Sequence, residues 1–132
     1  MLNQLHEFKA RIAETDLFSQ VKYEDDQRMV EIANSNTEYH AEWDRIHAEL
    51  NRIEVNQGRD VADTGIEQIF EIVHVKAAIA TVNASLQGDI MDDLMLLARA
   101  IRVQYVDAWL DKIWAEYQAG KFPRINWKGD SV

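Results

Sequence analysis

Cysteine is absent from this sequence. Its absence excludes disulfide bonds, zinc–thiolate sites, iron–sulfur clusters and cysteine nucleophiles. Long apolar runs are also absent, because no stretch reaches the ~18 uncharged residues that a membrane span requires. The first residues lack a charged segment followed by an apolar one, so they do not resemble a signal peptide. We therefore expect a cytoplasmic protein that does not contact a membrane.

Proline and glycine are rare as well. There is one proline, Pro123, and there are five glycines among 132 residues, so little interrupts helix formation. Hydrophobic residues make up 47% of the chain, which is enough for one core in a chain of single-domain length. The sequence predicts an all-α fold, with one helical domain over residues 1–119 and a C-terminal tail over residues 120–132.

Cations are scarce relative to anions, with 14 Lys and Arg against 23 Asp and Glu and a formal net charge of −9. This balance disfavours direct nucleic-acid binding, which requires a basic surface for the phosphates. Residues 60–98 contain one cation, Lys76, and seven acidic residues. Three interpretations remain open: the charge serves solubility, it attracts a basic protein partner, or the acidic surface mimics nucleic acid.

The apolar spacing predicts a short N-terminal helix over residues 2–14 and three long helices after it. The first long helix runs from Asp26 to about Asn56 and ends at Gly58, while the path of residues 15–26 stays open. The other two lie between Thr64 and Tyr117 and are divided at Gln87–Asp89, with Asp89 as the cap. Short connections favour antiparallel neighbours, as in a four-helix bundle.

The last two helices carry apolar residues on more than one side. A helix with two apolar faces is either central or covered from both sides, and a large exposed apolar face is a liability for a monomer. We therefore predict a homodimer. The predicted interface consists of Ile72, Val75, Ile79, Val82, Val103, Val106, Leu110, Ile113, Trp114 and Tyr117.

The tail mixes aromatic and apolar residues with cations. The apolar members are Phe122, Ile125 and Trp127, and the cations include Arg124. Such a segment is either an extended arm docked on the acidic body or on a second subunit, or a disordered end, because termini are ordered only when they are tied down.

Histidines and carboxylates along two helices suggest a metal site. His40, Asp44 and His47 lie along one side of the first long helix, because residues three, four and seven apart are neighbours on a helix. Glu71 and His74 have the Glu-x-x-His spacing of carboxylate-bridged di-iron bundles. The alternative is a hydrogen-bonded polar edge between helices. A bundle that binds a divalent metal through these five residues is our second hypothesis.

Catalytic motifs are missing from the sequence: it has no glycine-rich phosphate loop, nucleophile elbow or His-Glu-x-x-His. Asp89, Asp92 and Asp93 could bind Mg²⁺ as in all-α nucleotide pyrophosphohydrolases, but no Glu-x-x-Glu accompanies them, and helix capping explains them. We therefore favour a protein without enzymatic activity or a cofactor. The first hypothesis is an acidic, self-associating protein-interaction module of the inhibitor, immunity or adaptor type.

Overall fold

The computed structural model describes residues 5–14, 26–58 and 64–126, and all regular secondary structure in these ranges is helical. This confirms the all-α prediction. None of the described helices is long and apolar enough to span a membrane. The helices are α1 (Leu5–Ile12), α2 (Asp26–Ser35), α3 (Thr37–Gln57), α4 (Thr64–Ala80), α5 (Ala84–Arg102), α6 (Ala108–Gln118) and α7 (Pro123–Asn126). Residues 15–25, whose path the sequence left open, lie outside the described ranges.

The predicted helix from Asp26 to Asn56 is divided at Asn36. The Asn36 side chain accepts a hydrogen bond from the backbone N–H of Tyr39 at 3.1 Å, which caps α3. Its Nδ2 donates to the backbone carbonyl of Arg124 at 2.8 Å. The prediction of one continuous helix was therefore wrong, because Asn36 serves as a cap and as a contact to the C-terminal segment.

The break between the next two helices lies at Thr81–Asn83 rather than at Gln87–Asp89. Asn83 caps α5 by accepting the N–H of Leu86 at 3.1 Å, and Thr81 Oγ1 accepts the N–H of Asn83 at 3.1 Å. Gly88 lies inside α5. An Asn cap satisfies free N–H groups, whereas glycine inside a helix costs only about 1 kcal/mol.

A further break separates α5 from α6, where one long helix was predicted. Gln104 has a φ of 60°, and Asp107 caps α6 by accepting the N–H of Trp109 at 2.9 Å. Arg45 of α3 forms an ion pair with Asp107 at 3.1 Å.

The predicted stop at Gly58 is confirmed by its φ of 67° at the end of α3.

Helix α5 lies at the centre of the fold. Its most extensive contact is with α4, and it also packs against α1, α2 and α3. The core of buried apolar side chains includes Phe8, Tyr39, Ile46, Leu50, Ile69, Val73, Leu94, Leu97 and Phe122.

The break before α6 changes where its apolar residues lie. Leu110, Ile113, Trp114 and Tyr117 are buried in the core of a single chain. Trp114 contacts Phe8 of α1 with ring centroids 4.8 Å apart. These four predicted interface residues are therefore not exposed for contact with a second subunit, because α6 packs on its own chain.

The other six predicted interface residues differ in exposure. Val75, Ile79 and Val82 are 55%, 64% and 92% exposed, and we refer to these three as the apolar strip. Val106 is also exposed, at 71%, whereas Ile72 and Val103 are only partly buried. The exposed part of the predicted interface is thus smaller than the sequence predicted, and most of it lies in the second half of α4 and the linker after that helix.

The described part of the predicted tail is docked on the body. Phe122 and Arg124 are buried, and residues 123–126 form a short helix rather than an extended arm. The Arg124 guanidinium pairs with Asp93 at 2.7 Å and with Asp89 at 3.4 Å. The Tyr117 hydroxyl donates to the same Asp93 carboxylate at 2.6 Å. We refer to Asp93, Arg124, Tyr117 and Asp89 as the Asp93 network. Residues 127–132 lie outside the described ranges.

Candidate functional site

A pocket of about 570 Å³ opens between α3, α4 and α5. Volumes of this size are typical of binding sites. Helix α3 supplies one side, α4 a second and α5 the base. The lining residues are Trp43, His47, Ile66, Glu67, Phe70, Glu71, Asp92, Met95, Leu96 and Arg99.

Three aromatic side chains in the lining, Trp43, His47 and Phe70, belong to two stacked pairs, and His74 completes the second pair from outside the pocket. The rings of Trp43 and His47 stack at 4.8 Å with an interplanar angle of 20°. The rings of Phe70 and His74 stack at 6.3 Å and 18°, and Phe70 is 47% exposed. The buried indole N–H of Trp43 has no hydrogen-bond acceptor within the described part of the chain. The pocket therefore offers flat aromatic surfaces from both α3 and α4.

Three acidic side chains line the pocket. Glu67 and Glu71 are one turn apart on α4, Asp92 comes from α5, and all three are exposed. In residues 5–14, 26–58 and 64–126, none of the three has an ion-pair partner. Loss of water around its carboxyl group, together with the nearby charge of Asp93, raises the pKa of Asp92 despite the opposing charges of Arg124 and His47.

Among the described lining residues Arg99 is the one arginine or lysine, and its hydrogen bonds are directed away from the lining acids. It donates to Glu54 Oε2 at 3.1 Å and to Asn51 Oδ1 at 2.7 Å. Arg102 pairs with the same Glu54 at 2.5 Å. Burial alone would raise the pKa of Glu54, but the hydrogen bonds and charges of Arg99 and Arg102 outweigh it and lower the pKa. Arg99 therefore pairs with Glu54 and Asn51 rather than with any of the three lining acids.

The five predicted metal ligands are not brought together. His40 Nε2 lies 3.1 Å from the carbonyl oxygen of Ala33, and His74 stacks on Phe70. Only His47 and Glu71 line the pocket, while Asp44 is exposed outside it. No group of three His, Asp or Glu side chains in the described ranges could hold a metal ion. The described geometry therefore does not assemble His40, Asp44, His47, Glu71 and His74 into the metal site that the sequence predicted.

Asp89, Asp92 and Asp93, the possible Mg²⁺ ligands, also do not meet at one site. Asp93 is fully buried and bonded to Arg124, and Asp89 faces the same guanidinium. Only Asp92 lines the pocket. These carboxylates therefore serve two different purposes, one structural and one at the pocket.

Sequence reasoning missed Phe70, Asp92 and Met95 as members of one site. One signal was present: Glu67, Glu71 and Asp92 all fall in the segment with a single cation. Their meeting around one pocket depends on the packing of α4 against α5, which the sequence pattern did not specify.

Comparison with known families adds a finding about the whole chain. A family model described as Immunity protein PIM1 matches residues 7–124. The chain belongs to this family. The matched range contains every residue that lines the pocket, together with the Asp93 network, so both features lie in the family region. The family agrees with the coarser prediction of a protein-interaction module, and among the inhibitor, immunity and adaptor types that were predicted it favours the immunity type. No curated protein and no solved structure matches the chain.

Proposed function

We propose that this chain is an immunity protein that neutralises a toxin by binding a basic surface of it. The proposal rests on one observation: in this immunity-family chain, three carboxylates that have no ion-pair partner within residues 5–14, 26–58 and 64–126 line a largely apolar pocket. Membership of the family supports a toxin as the partner. We place the encounter in the cytoplasm, consistent with the absence of cysteine.

The proposed binding face is formed by α3, α4 and α5 around the pocket. The apolar lining would be removed from water on binding and supply affinity. Glu67, Glu71 and Asp92 would attract a basic surface and orient it, since complementary charges raise the rate and specificity of association. The net charge of −9 extends this attraction beyond the site.

We expect the protein to bind a candidate toxin encoded beside its gene and to protect cells that express this toxin. Binding should weaken as NaCl rises from about 0.05 M to about 0.5 M, because salt screens exposed charges. Reversing two lining charges, in Glu67→Lys with Glu71→Lys, should weaken binding on the order of 100-fold. Isothermal titration calorimetry measures the affinity, and survival of the expressing cells measures protection.

Glu31→Lys with Glu38→Lys is the matched control. It makes the same change of charge at two exposed positions outside the pocket. An equal loss of affinity in both double variants would contradict the proposed face. Absence of binding and of protection in the unsubstituted protein would contradict the proposed function.

We also propose that the chain self-associates through the apolar strip of Val75, Ile79 and Val82. Val75 and Ile79 are exposed one helical turn apart in α4, and Val82 is exposed in the linker that follows this helix, which favours this surface because neighbouring exposed apolar groups mark interaction sites. Sedimentation equilibrium at tens of micromolar should give a dimer, and Ile79→Lys should shift it to a monomer. Val55→Lys, at an exposed apolar residue outside the predicted interface, should leave the mass unchanged. A monomer in the unsubstituted protein would rule this association out.

A further inference from the structure

We propose that the pocket between α3, α4 and α5 binds an arginine side chain of the partner. This inference rests on the proposed function, because the arginine would belong to the toxin. It goes beyond that function in naming the group that enters the pocket. The evidence lies in the charge, the aromatic surfaces and the apolar lining of the site.

The charge of the lining favours a cation. Glu67, Glu71 and Asp92 are without ion-pair partners in the described residues, while Arg99 is engaged by Glu54 and Asn51. An anionic ligand would meet three carboxylates of its own sign. An uncharged apolar group would displace water from the same carboxylates. It could not replace the hydrogen bonds that this water donates to them, which is unfavourable. A cationic ligand would balance the negative charge of the three carboxylates.

The aromatic surfaces favour arginine over lysine. A guanidinium is flat, stacks on aromatic faces and forms paired hydrogen bonds with carboxylates, whereas an ammonium is a strongly hydrated point charge. Trp43 and His47 form one stacked surface and Phe70 offers a second ring. The pocket thus combines ring faces and carboxylates, the two groups that a guanidinium binds.

The apolar lining suits the aliphatic part of an arginine. Met95 and Leu96 of α5 and Ile66 of α4 line the pocket. Long cationic side chains cover apolar surface with their methylene groups while the charged end stays near polar groups. A volume of about 570 Å³ also leaves room for residues beside the arginine, so the ligand is a segment of a protein rather than a free ion.

Three matched peptides test the proposal on the full chain. Each has the sequence Gly-Ser-X-Ser-Gly, where X is arginine, lysine or citrulline, the uncharged analogue of arginine. In ¹H–¹⁵N spectra, the arginine peptide should shift the indole N–H of Trp43 and the amides of residues 67–71. The lysine peptide should bind about tenfold more weakly, and the citrulline peptide should cause no shift at equal concentration.

Glu67→Gln with Glu71→Gln should weaken binding of the arginine peptide at least about tenfold. Glu31→Gln with Glu38→Gln, which removes two charges outside the pocket, should not change it. Both pairs are exposed, and thermal unfolding checks that each variant folds. Equal binding of arginine and citrulline peptides, or shifts confined to residues outside the pocket, would overturn the proposal.

The peptide titration and the toxin assay fail independently. If the arginine peptide binds the pocket and no toxin is bound, the proposed function is wrong and the chemistry of the pocket stands. If a toxin is bound with unchanged affinity by Glu67→Gln with Glu71→Gln, the function stands, and arginine recognition by this pocket is rejected.

Discussion

Asp93→Asn is expected to lower the free energy of unfolding by about 3–5 kcal/mol, because removing one partner of a buried ion pair leaves the other charge uncompensated. Asp93 is 0% exposed and accepts hydrogen bonds from Arg124 and Tyr117. After the substitution, the one ion pair that the Arg124 guanidinium keeps among the described residues is the longer one with Asp89, at 3.4 Å. Urea unfolding followed by circular dichroism measures the change.

Asp92→Asn is the matched control for this prediction. It makes the same chemical change at the preceding position of α5, where the side chain is exposed. Its effect should stay within about 0.5 kcal/mol. Equal stability of the two variants would show that the Asp93 network does not stabilise the fold.

The effects of substituting Asp93 and Arg124 on stability should also be coupled in a double-mutant cycle. Replacing Arg124 by Met in the Asp93→Asn background removes the uncompensated cation, so it should restore part of the lost stability. Arg124→Met alone should be destabilising, because it leaves the buried Asp93 carboxylate without its cation. Strictly additive effects would indicate that the two residues act separately.

Glu54→Gln is the second substitution with a large expected effect, again about 3–5 kcal/mol of unfolding free energy. The Glu54 carboxylate is buried and accepts hydrogen bonds from both Arg99 and Arg102. Glutamine offers one acceptor oxygen and turns an NH₂ group toward the guanidinium groups. Chemical unfolding at neutral pH measures the loss. Glu49→Gln, at an exposed i,i+3 pair with Arg52, should change stability little.

The effect of Glu54→Gln should depend on pH. The pKa of Glu54 is lowered in the folded state from its usual value of 4.5, because the two arginines outweigh the effect of burial. A lowered folded pKa stabilises the protein above the unfolded pKa, and this contribution is lost as the pH falls through the folded pKa. The difference in stability between the unsubstituted protein and the variant should therefore be constant above about pH 5 and shrink below it. A difference that grows on acidification would contradict this assignment.

Local features of the fold could be predicted from the sequence, and tertiary pairings could not. The helical class and the stop at Gly58 follow from apolar spacing and from the conformational freedom of glycine. The internal breaks could not be placed from the sequence, because side-chain caps at Asn36, Asn83 and Asp107 divide the helices and a glycine does not. Gly88 lies within α5, while Asn36 and Asn83 begin helices.

The pairings depend on contacts between distant parts of the chain. Arg99 follows Glu54 by 45 residues, and Arg124 follows Asp93 by 31. Nothing in the sequence distinguishes Asp93, which is buried, from its exposed neighbour Asp92. The pocket was missed for the same reason, since its lining comes from three helices.

The position of Arg124 in the chain has a consequence for synthesis. A ribosome that has just added residue 120 has produced all of α1 to α6, including Asp93, but not the guanidinium that pairs with Asp93. Until Arg124 emerges, water solvates this carboxylate better than the interior does. The nascent protein can therefore bury Asp93 and complete its packing around α5 only after Arg124 has been synthesised.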